Sequence, residues 1–393
     1  MNFLPGEILS EIVNQETLTN QDLTRLACVS HRLSEAVAAR LYRSGELSYV
    51  GATDADRRKV EAFGKNGRHV RILSLNLHSN KAHNASVPTT IFPLLATFVN
   101  LHSVTLIDTA SLSWSDFLHI LAIIITSHQY LKILEIQRTI TNLDAAHPSD
   151  TTDAITLLAT HFYTGGKACK LDKFVLRLAK KEPPYLLPRT VLNNLIAILT
   201  HGTKSARSFT YTSDSSESPE AVMRDAEGME IEVLQWNWDN LEELTLKLPA
   251  KWIGPHPGGF KPVVTNWKGY TFQKDLQNLK KLVVKARIED LVASCSSRLK
   301  GDLGSMPKLQ VLRISHAGGI LDWDPRGKPS HPFLELAERI PTLEKIEQTD
   351  SYYLTHVIQS WDVVRTEDGE IKFKEGEQSP ELDIVTFRDT HAY

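Results

Sequence analysis

From residue 70 onward the chain repeats one arrangement: an apolar residue, two others, a second apolar residue, one other, and a third apolar residue. Copies stand at Val70-Leu73-Leu75, Leu101-Val104-Leu106, Leu131-Leu134-Ile136 and Leu171-Phe174-Leu176. The arrangement returns at Leu241-Leu244-Leu246, Leu279-Leu282-Val284 and Leu309-Leu312-Ile314, with weaker copies at Ala206-Phe209-Tyr211 and Leu343-Ile346. Successive first positions lie 30 to 40 residues apart. The last two apolar positions of each copy alternate with other residues, which predicts a short strand with one buried face. Helical stretches are expected between the strands, over 117–127, 154–163, 191–201, 288–299 and 333–340. One strand–loop–helix unit cannot bury its own apolar face, but a stack of them builds a continuous core. The expected class is therefore α/β, with a curved solenoid over residues 69–351. An α/β domain with a parallel sheet is the competing arrangement, and the near-constant spacing favours the solenoid.

The first 43 residues carry a different period. Ile8, Leu9, Ile12 and Val13 recur at helical spacing and form one apolar stripe, with Pro5 and Glu7 suited to a first turn. Thr19 or Asn20 can cap a second helix in which Leu23, Leu26, Ala27 and Ser30 share a face. A third segment turns Leu33, Ala36, Val37 and Leu41 inward and Arg32, Glu35 and Arg40 outward. So short a stretch with so much apolar surface is expected to share that surface with a partner. The domain reading is a helical module over 1–45, a helical linker over 46–68, the repeats, and a C-terminal cap over 352–393. In the cap, Val363-Val364 and Ile371 to Phe373 flank Asp368-Gly369, a hairpin signal. Removing residues 1–43 is expected to leave the repeats folded. Three insertions interrupt the array: an acidic, Ser-rich segment over 213–232, an aromatic and Pro/Gly-rich one over 252–272, and a turn-rich one over 323–332.

Composition narrows the partners. The 393 residues exceed the usual single-domain size, and a net charge of −3 gives no pull toward nucleic acid or acidic membranes. Neither kind of partner is expected. Cys28, Cys169 and Cys295 are odd in number and widely spaced, which favours a reducing compartment; with no basic start leading into an apolar run, a cytoplasmic or nuclear location is expected. The most apolar stretch, 117–125, is too short to span a bilayer and reads as a buried helix. There is no phosphate-cradling Gly loop, no nucleophile elbow and no Cys-x-x-Cys pair. Cys28 and His31 have ligand-like spacing, but two residues do not make a metal site, and packing is the better reading. The chain is read as a non-enzyme without cofactor or metal.

The opening residues resemble an F-box: Leu4-Pro5, the pair Ile8-Leu9, Asp22-Leu23, Val29-Ser30 followed by basic residues, and Leu41-Tyr42-Arg43 at the close. The departure is Leu33, where many F-boxes place an aromatic residue. An ordinary helical hairpin capping the next domain is the alternative. The repeats look like leucine-rich repeats, though longer than the usual 20–29 residues and without the regular Asn or Cys after the strand. The resemblance implies a three-helix F-box followed by a curved, leucine-rich-repeat-like solenoid. It also implies a substrate receptor that joins a Skp-family adaptor, and through it a cullin, in a ubiquitin ligase. The adaptor contacts carried over are Leu4, Pro5, Ile8, Leu9, Ile12, Leu23, Leu26, Val29 and Ser30. The alternative function is a scaffold or interaction module without ubiquitin transfer. For the target, the strand residues beside the buried ones include Lys173, Arg177, Lys247, Lys281, Lys285 and Arg313, with Glu135 and Glu243 as exceptions. Such cations suit an acidic or phosphorylated protein segment.

Overall fold

A computed structural model of the protein describes residues 4–48, 54–77, 87–108, 112–140, 152–180, 195, 198, 205–215, 240–247, 277–285, 306–315, 331–349 and 357–377. The chain divides into two compact units, Met1–Thr203 and Lys204–Tyr393. Their class is mixed α/β with mostly parallel strands.

The first unit opens with three helices, α1 (Gly6–Val13), α2 (Asn20–Ala27) and α3 (His31–Leu41). Strand and helix then alternate: β1 (Ser44–Ser48), α4 (Asp54–Lys65), β2 (Ile72–Leu77), α5 (Val87–Thr97), β3 (Ser103–Asp108), α6 (Trp114–Ser127), β4 (Ile133–Ile140), α7 (Thr152–Tyr163) and β5 (Lys173–Lys180). Strands β1 to β5 are parallel neighbours in chain order, with Ser44, Ile72, Ser103, Ile133 and Lys173 side by side. Two consecutive N–H groups at each strand start donate to one carbonyl of the preceding repeat. Arg71 and Ile72 donate to Arg43 at 2.9 and 3.0 Å, His102 and Ser103 to Arg71, and Lys132 and Ile133 to His102. This shared acceptor fixes the register from repeat to repeat.

The apolar triplets at 70–75, 101–106, 131–136 and 171–176 are each no more than 1% exposed. Their face meets the helices, which lie side by side: α4 against α5, α5 against α6, and α6 against α7. Helix α6, expected as a buried helix, carries Trp114, Phe117, Leu118, Ile120, Leu121, Ile124 and Ile125 into the core. Ser113 caps it, its hydroxyl accepting from the Asp116 N–H at 3.1 Å. Among the described residues no helix is long and apolar enough to cross a membrane.

The second unit holds β6 (Ser208–Ser215), β7 (Glu243–Lys247), β8 (Lys281–Lys285), β9 (Val311–Ser315), α8 (His331–Arg339) and β10 (Lys345–Thr349), with β6 to β10 again parallel in chain order. The same shared-acceptor bonds recur at Arg207, Glu242, Lys280 and Gln310. The chain then reverses. Strand β11 (Val357–Arg365) runs antiparallel to β10, and β12 (Ile371–Glu375) antiparallel to β11. Gly369 makes the turn with φ +81°, where a side chain would be strained. Arg365 of this hairpin donates to the carbonyls of Leu343, Ala337 and Ile340 at 2.7, 2.9 and 3.0 Å, satisfying the C-terminal end of α8 and the turn after it.

Strand β1 was not expected. The segment read as a helical linker over 46–68 holds the end of a strand as well as a helix. Only Leu47 of β1 is a large apolar residue, and the other inward position is Gly45. A Cβ at Gly45 would collide with the Phe63 ring at Cε1, so the missing side chain is what lets α4 lie against β1. Of the expected helix over 191–201 only Leu195 and Ile198 are described, both buried. The helix expected over 288–299 and the insertion over 252–272 lie outside the described residues. In the insertion over 213–232, Ser213 to Ser215 belong to β6 and the rest is not described.

Candidate docking surface and the strand face

The opening helices build a small core of their own. Leu9, Val13, Leu23, Leu33 and Val37 are buried together, with Leu4, Leu18, Leu26, Ala27, Ala36 and Leu41 packed half-buried around them. Local chemistry sets each helix boundary. Thr19 and Asp22 form a reciprocal capping box at α2: the Asp22 N–H donates to the Thr19 hydroxyl at 3.2 Å, and the Thr19 N–H to the Asp22 carboxylate at 3.1 Å. The Thr19 hydroxyl, which donates to that carboxylate at 2.6 Å, and then the Thr19 N–H hold the Asp22 carboxyl below the usual carboxylate range. Ser30 caps α3, accepting from the Leu33 N–H at 3.2 Å. Arg40, expected to face solvent, instead gathers the link between α1 and α2. Its guanidinium donates to the carbonyls of Val13, Gln15 at 2.8 Å and Leu18 at 3.2 Å.

This geometry sorts the nine residues carried over as adaptor contacts. Leu9 and Leu23 are sealed inside the module at 3% and 1% exposure, so neither presents a surface to a partner in this conformation. The hydroxyl of Ser30 is engaged as a cap, while Leu4 and Leu26 are half-buried. Pro5, Ile8, Ile12 and Val29 remain exposed; Ile8, Ile12 and Val29 show 39%, 37% and 57% of their surface. The stripe read as one apolar face of α1 is therefore two. Leu9 and Val13 point in, whereas Ile8 and Ile12, one turn apart, point out. Leu33, the departure from the F-box pattern, is 1% exposed and belongs to the module's core. Cys28 is exposed, its thiol donating to the Thr24 carbonyl at 3.4 Å.

The cations expected on an open strand face fare differently. Arg177 and Arg313 are 3% and 0% exposed. Arg313 is paired with Glu347 at 2.7 Å, its register partner on the next strand, and both side chains are fully buried. Neither arginine is available to an acidic target, because a buried guanidinium is held by its neighbours. Lys173 is half-buried and 3.6 Å from Glu135. Lys281 is half-buried, and the side chains of Lys247 and Lys285 lie outside the described residues. Lys173 and Arg177 also belong to one unit and the other four to the second. Alternation along a strand says nothing of what covers a face, and Arg177 and Arg313 are both covered. In the first unit the face opens toward its beginning: Ile72 is 46% exposed, whereas Val175 is 2% exposed.

The sequence reading missed a second buried ion pair. Arg138 at the end of β4 and Asp108 at the end of β3 are register partners, both fully buried. The Arg138 guanidinium also donates to the Leu112 carbonyl at 3.0 Å and stacks 3.9 Å from the Trp114 ring and 4.6 Å from that of Phe117. A signal for both pairs was present. Asp108 and Arg138, like Arg313 and Glu347, stand at equivalent repeat positions one repeat apart, where parallel register makes opposite charges meet. Neither a protein-family model nor a curated protein sequence matches the chain.

Proposed function

We propose that this chain is a non-catalytic receptor whose opening helices dock on a Skp-family adaptor of a cullin-based ubiquitin ligase, and whose stacked strand–helix repeats hold a protein target. The observation that carries the reading is the outward pair Ile8 and Ile12. A three-helix module with its own core, two capped helices and an arginine latch has no folding need for two exposed isoleucines on its first helix. Exposed apolar side chains beside an ordered core fit a surface that another protein covers. Parallel strands following chain order without reversal, with helices side by side, favour a solenoid over a doubly wound sheet. Target holding is placed on the open part of the strand face, around Ile72, Ser74, Thr105 and Ile107, rather than on the covered arginines.

The mechanism would be positional. Holding a target on the same particle as the charged ubiquitin carrier raises the effective concentration of its lysines. The test is to mix the purified chain with a Skp-family adaptor and a cullin and follow the complex by gel filtration. A stable ternary complex is expected. An adaptor complex that excludes the cullin would favour the scaffold reading, and no adaptor complex would overturn the proposal.

A further inference from the structure

Behind α1, on the side away from Ile8 and Ile12, a cavity of about 780 Å³ opens between the helical module and the strand starts of the first unit. Among the described residues five arginines line it: Arg32 and Arg40 on α3, Arg68 in the turn before β2, and Arg43 and Arg71 at the strand starts. Among the described residues Glu35 is the only acidic one in the lining. Three of the five, Arg32, Arg40 and Arg68, are engaged within the protein. Arg40 holds the α1–α2 link, and Arg68 donates to Glu35 at 2.7 Å. Arg43 and Arg71 are exposed, and among the described residues neither side chain has a hydrogen bond or ion pair. Their backbones are joined directly, the Arg71 N–H donating to the Arg43 carbonyl at 2.9 Å. The two side chains therefore leave the backbone about one strand spacing apart, roughly 5 Å.

The row to which these two belong makes the pairing unusual. In each unit every strand start contributes one residue to such a row, and three neighbouring pairs are complementary. Lys132 stands 3.6 Å from Asp172, Lys280 is 2.9 Å from Glu242, and Gln310 donates to Glu344 at 3.2 Å. Arg43 and Arg71 are like charges side by side, and both border the cavity. From these observations we propose that the cleft binds a compact, multiply charged phosphate-bearing small molecule, with Arg43 and Arg71 as its principal ligands.

Three features favour that ligand class. The volume lies within the range of small-molecule pockets. Guanidinium forks match phosphate oxygens in paired hydrogen bonds. The apolar lining is slight, with Leu9, Ala36 and Ala39 offering little for a hydrophobic peptide to grip. Asn100, whose amide already donates to the Arg68 carbonyl at 2.7 Å, and the neutral ring of His69, held below its usual pKa by burial and by Arg68, complete a polar wall. Such a ligand would bridge α3 and the strand starts and fasten the helical module to the repeats. Gly6, Ser10 and Asn14 face the cleft, about half a helical turn from Ile8 and Ile12, so the cleft is independent of the adaptor proposal and accessible with or without it.

The experiment is titration calorimetry of the full chain with inorganic tripolyphosphate at fixed ionic strength, with sulfate as the comparison anion. Saturable 1:1 binding is expected, together with a raised melting temperature. The double variant Arg43→Ala/Arg71→Ala should lose affinity by about tenfold or more while keeping its circular dichroism spectrum. Arg71→Gln alone should lose part of it, and Lys374→Ala, an exposed cation on β12, none. Unsaturable multi-site binding, equal affinity for sulfate, or a double variant that binds like the parent would overturn the assignment. So would capture of a phosphopeptide by a chain that ignores tripolyphosphate.

Discussion

Replacing Ile8, Ile12 and Val29 together by serine tests the proposed docking surface at its exposed apolar side chains. Their exposures of 39%, 37% and 57% are the parts of each side chain that a partner can still remove from water. Fully burying a Val or Ile side chain contributes about 1.5–3 kcal/mol, so covering these remainders contributes about 2–4 kcal/mol in all. That corresponds to about a 30- to 700-fold loss of affinity for the adaptor. The module should stay folded. Serine and isoleucine have similar helix propensities, and none of the three residues belongs to the buried cluster of Leu9, Val13, Leu23, Leu33 and Val37. Leu9→Ala is the contrasting variant. It removes a side chain that is 3% exposed and should cost about 2–5 kcal/mol of stability, weakening binding only by unfolding the module. Calorimetry with the purified adaptor, alongside thermal melts of each variant, separates the two effects. A triple serine variant that melts like the parent and binds within about threefold of it would refute the docking surface.

Three further outcomes follow from the cores. Asp108→Ala should destabilise the first unit by about 3–5 kcal/mol, because it strands the Arg138 guanidinium fully buried; a urea midpoint within error of the parent would contradict this. His128 is 1% exposed, and burial, opposed only weakly by the Phe98 backbone, lowers its pKa to about 4. The unfolded chain, titrating near 6.5, therefore takes up the proton first. Stability attributable to His128 is whole above pH 6.5 and falls by about 3 kcal/mol as the pH drops toward 4. His128→Gln should flatten that part of the pH profile, measured as the difference between variant and parent in denaturant titrations. Gly45→Ala should cost about 1–3 kcal/mol by driving a methyl group into the buried Phe63 ring, and an unchanged melting temperature would show that α4 can move away.

The repeat core was legible because its signal is redundant. Each triplet position whose side chain is described, from Val70 to Ile346, is buried as its spacing predicts. Parallel register then carries that spacing into space, placing Leu73, Val104, Leu134 and Phe174 in one row. β1 escaped because it contributes a glycine and a single leucine to the same rows, its packing being supplied by Phe63. Helix α1 was misjudged because eight residues at helical spacing cannot tell a wide inward stripe from two stripes facing opposite ways. The strand face was misjudged for a different reason. Alternation tells which side of a strand a residue occupies and nothing about what covers that side, so Arg177 and Arg313 looked like free cations.

Contacts run across the boundary drawn near residue 45, and they decide how the helices should be tested. The carbonyl of Arg43 accepts the N–H groups that position β2, and β1 begins one residue later. Glu35 on α3 holds Arg68, Tyr42 meets the Phe63 ring edge-on at 5.3 Å, and α3 touches the turn that precedes β2. Cutting after residue 43 would expose the inward side of β1 and remove the acceptor that sets its neighbour's register. Lost adaptor binding in such a truncation would then report damage to the first repeat as readily as loss of a docking surface. Point changes at Ile8, Ile12 and Val29 leave every one of those contacts in place. They are the perturbation whose failure bears on docking alone.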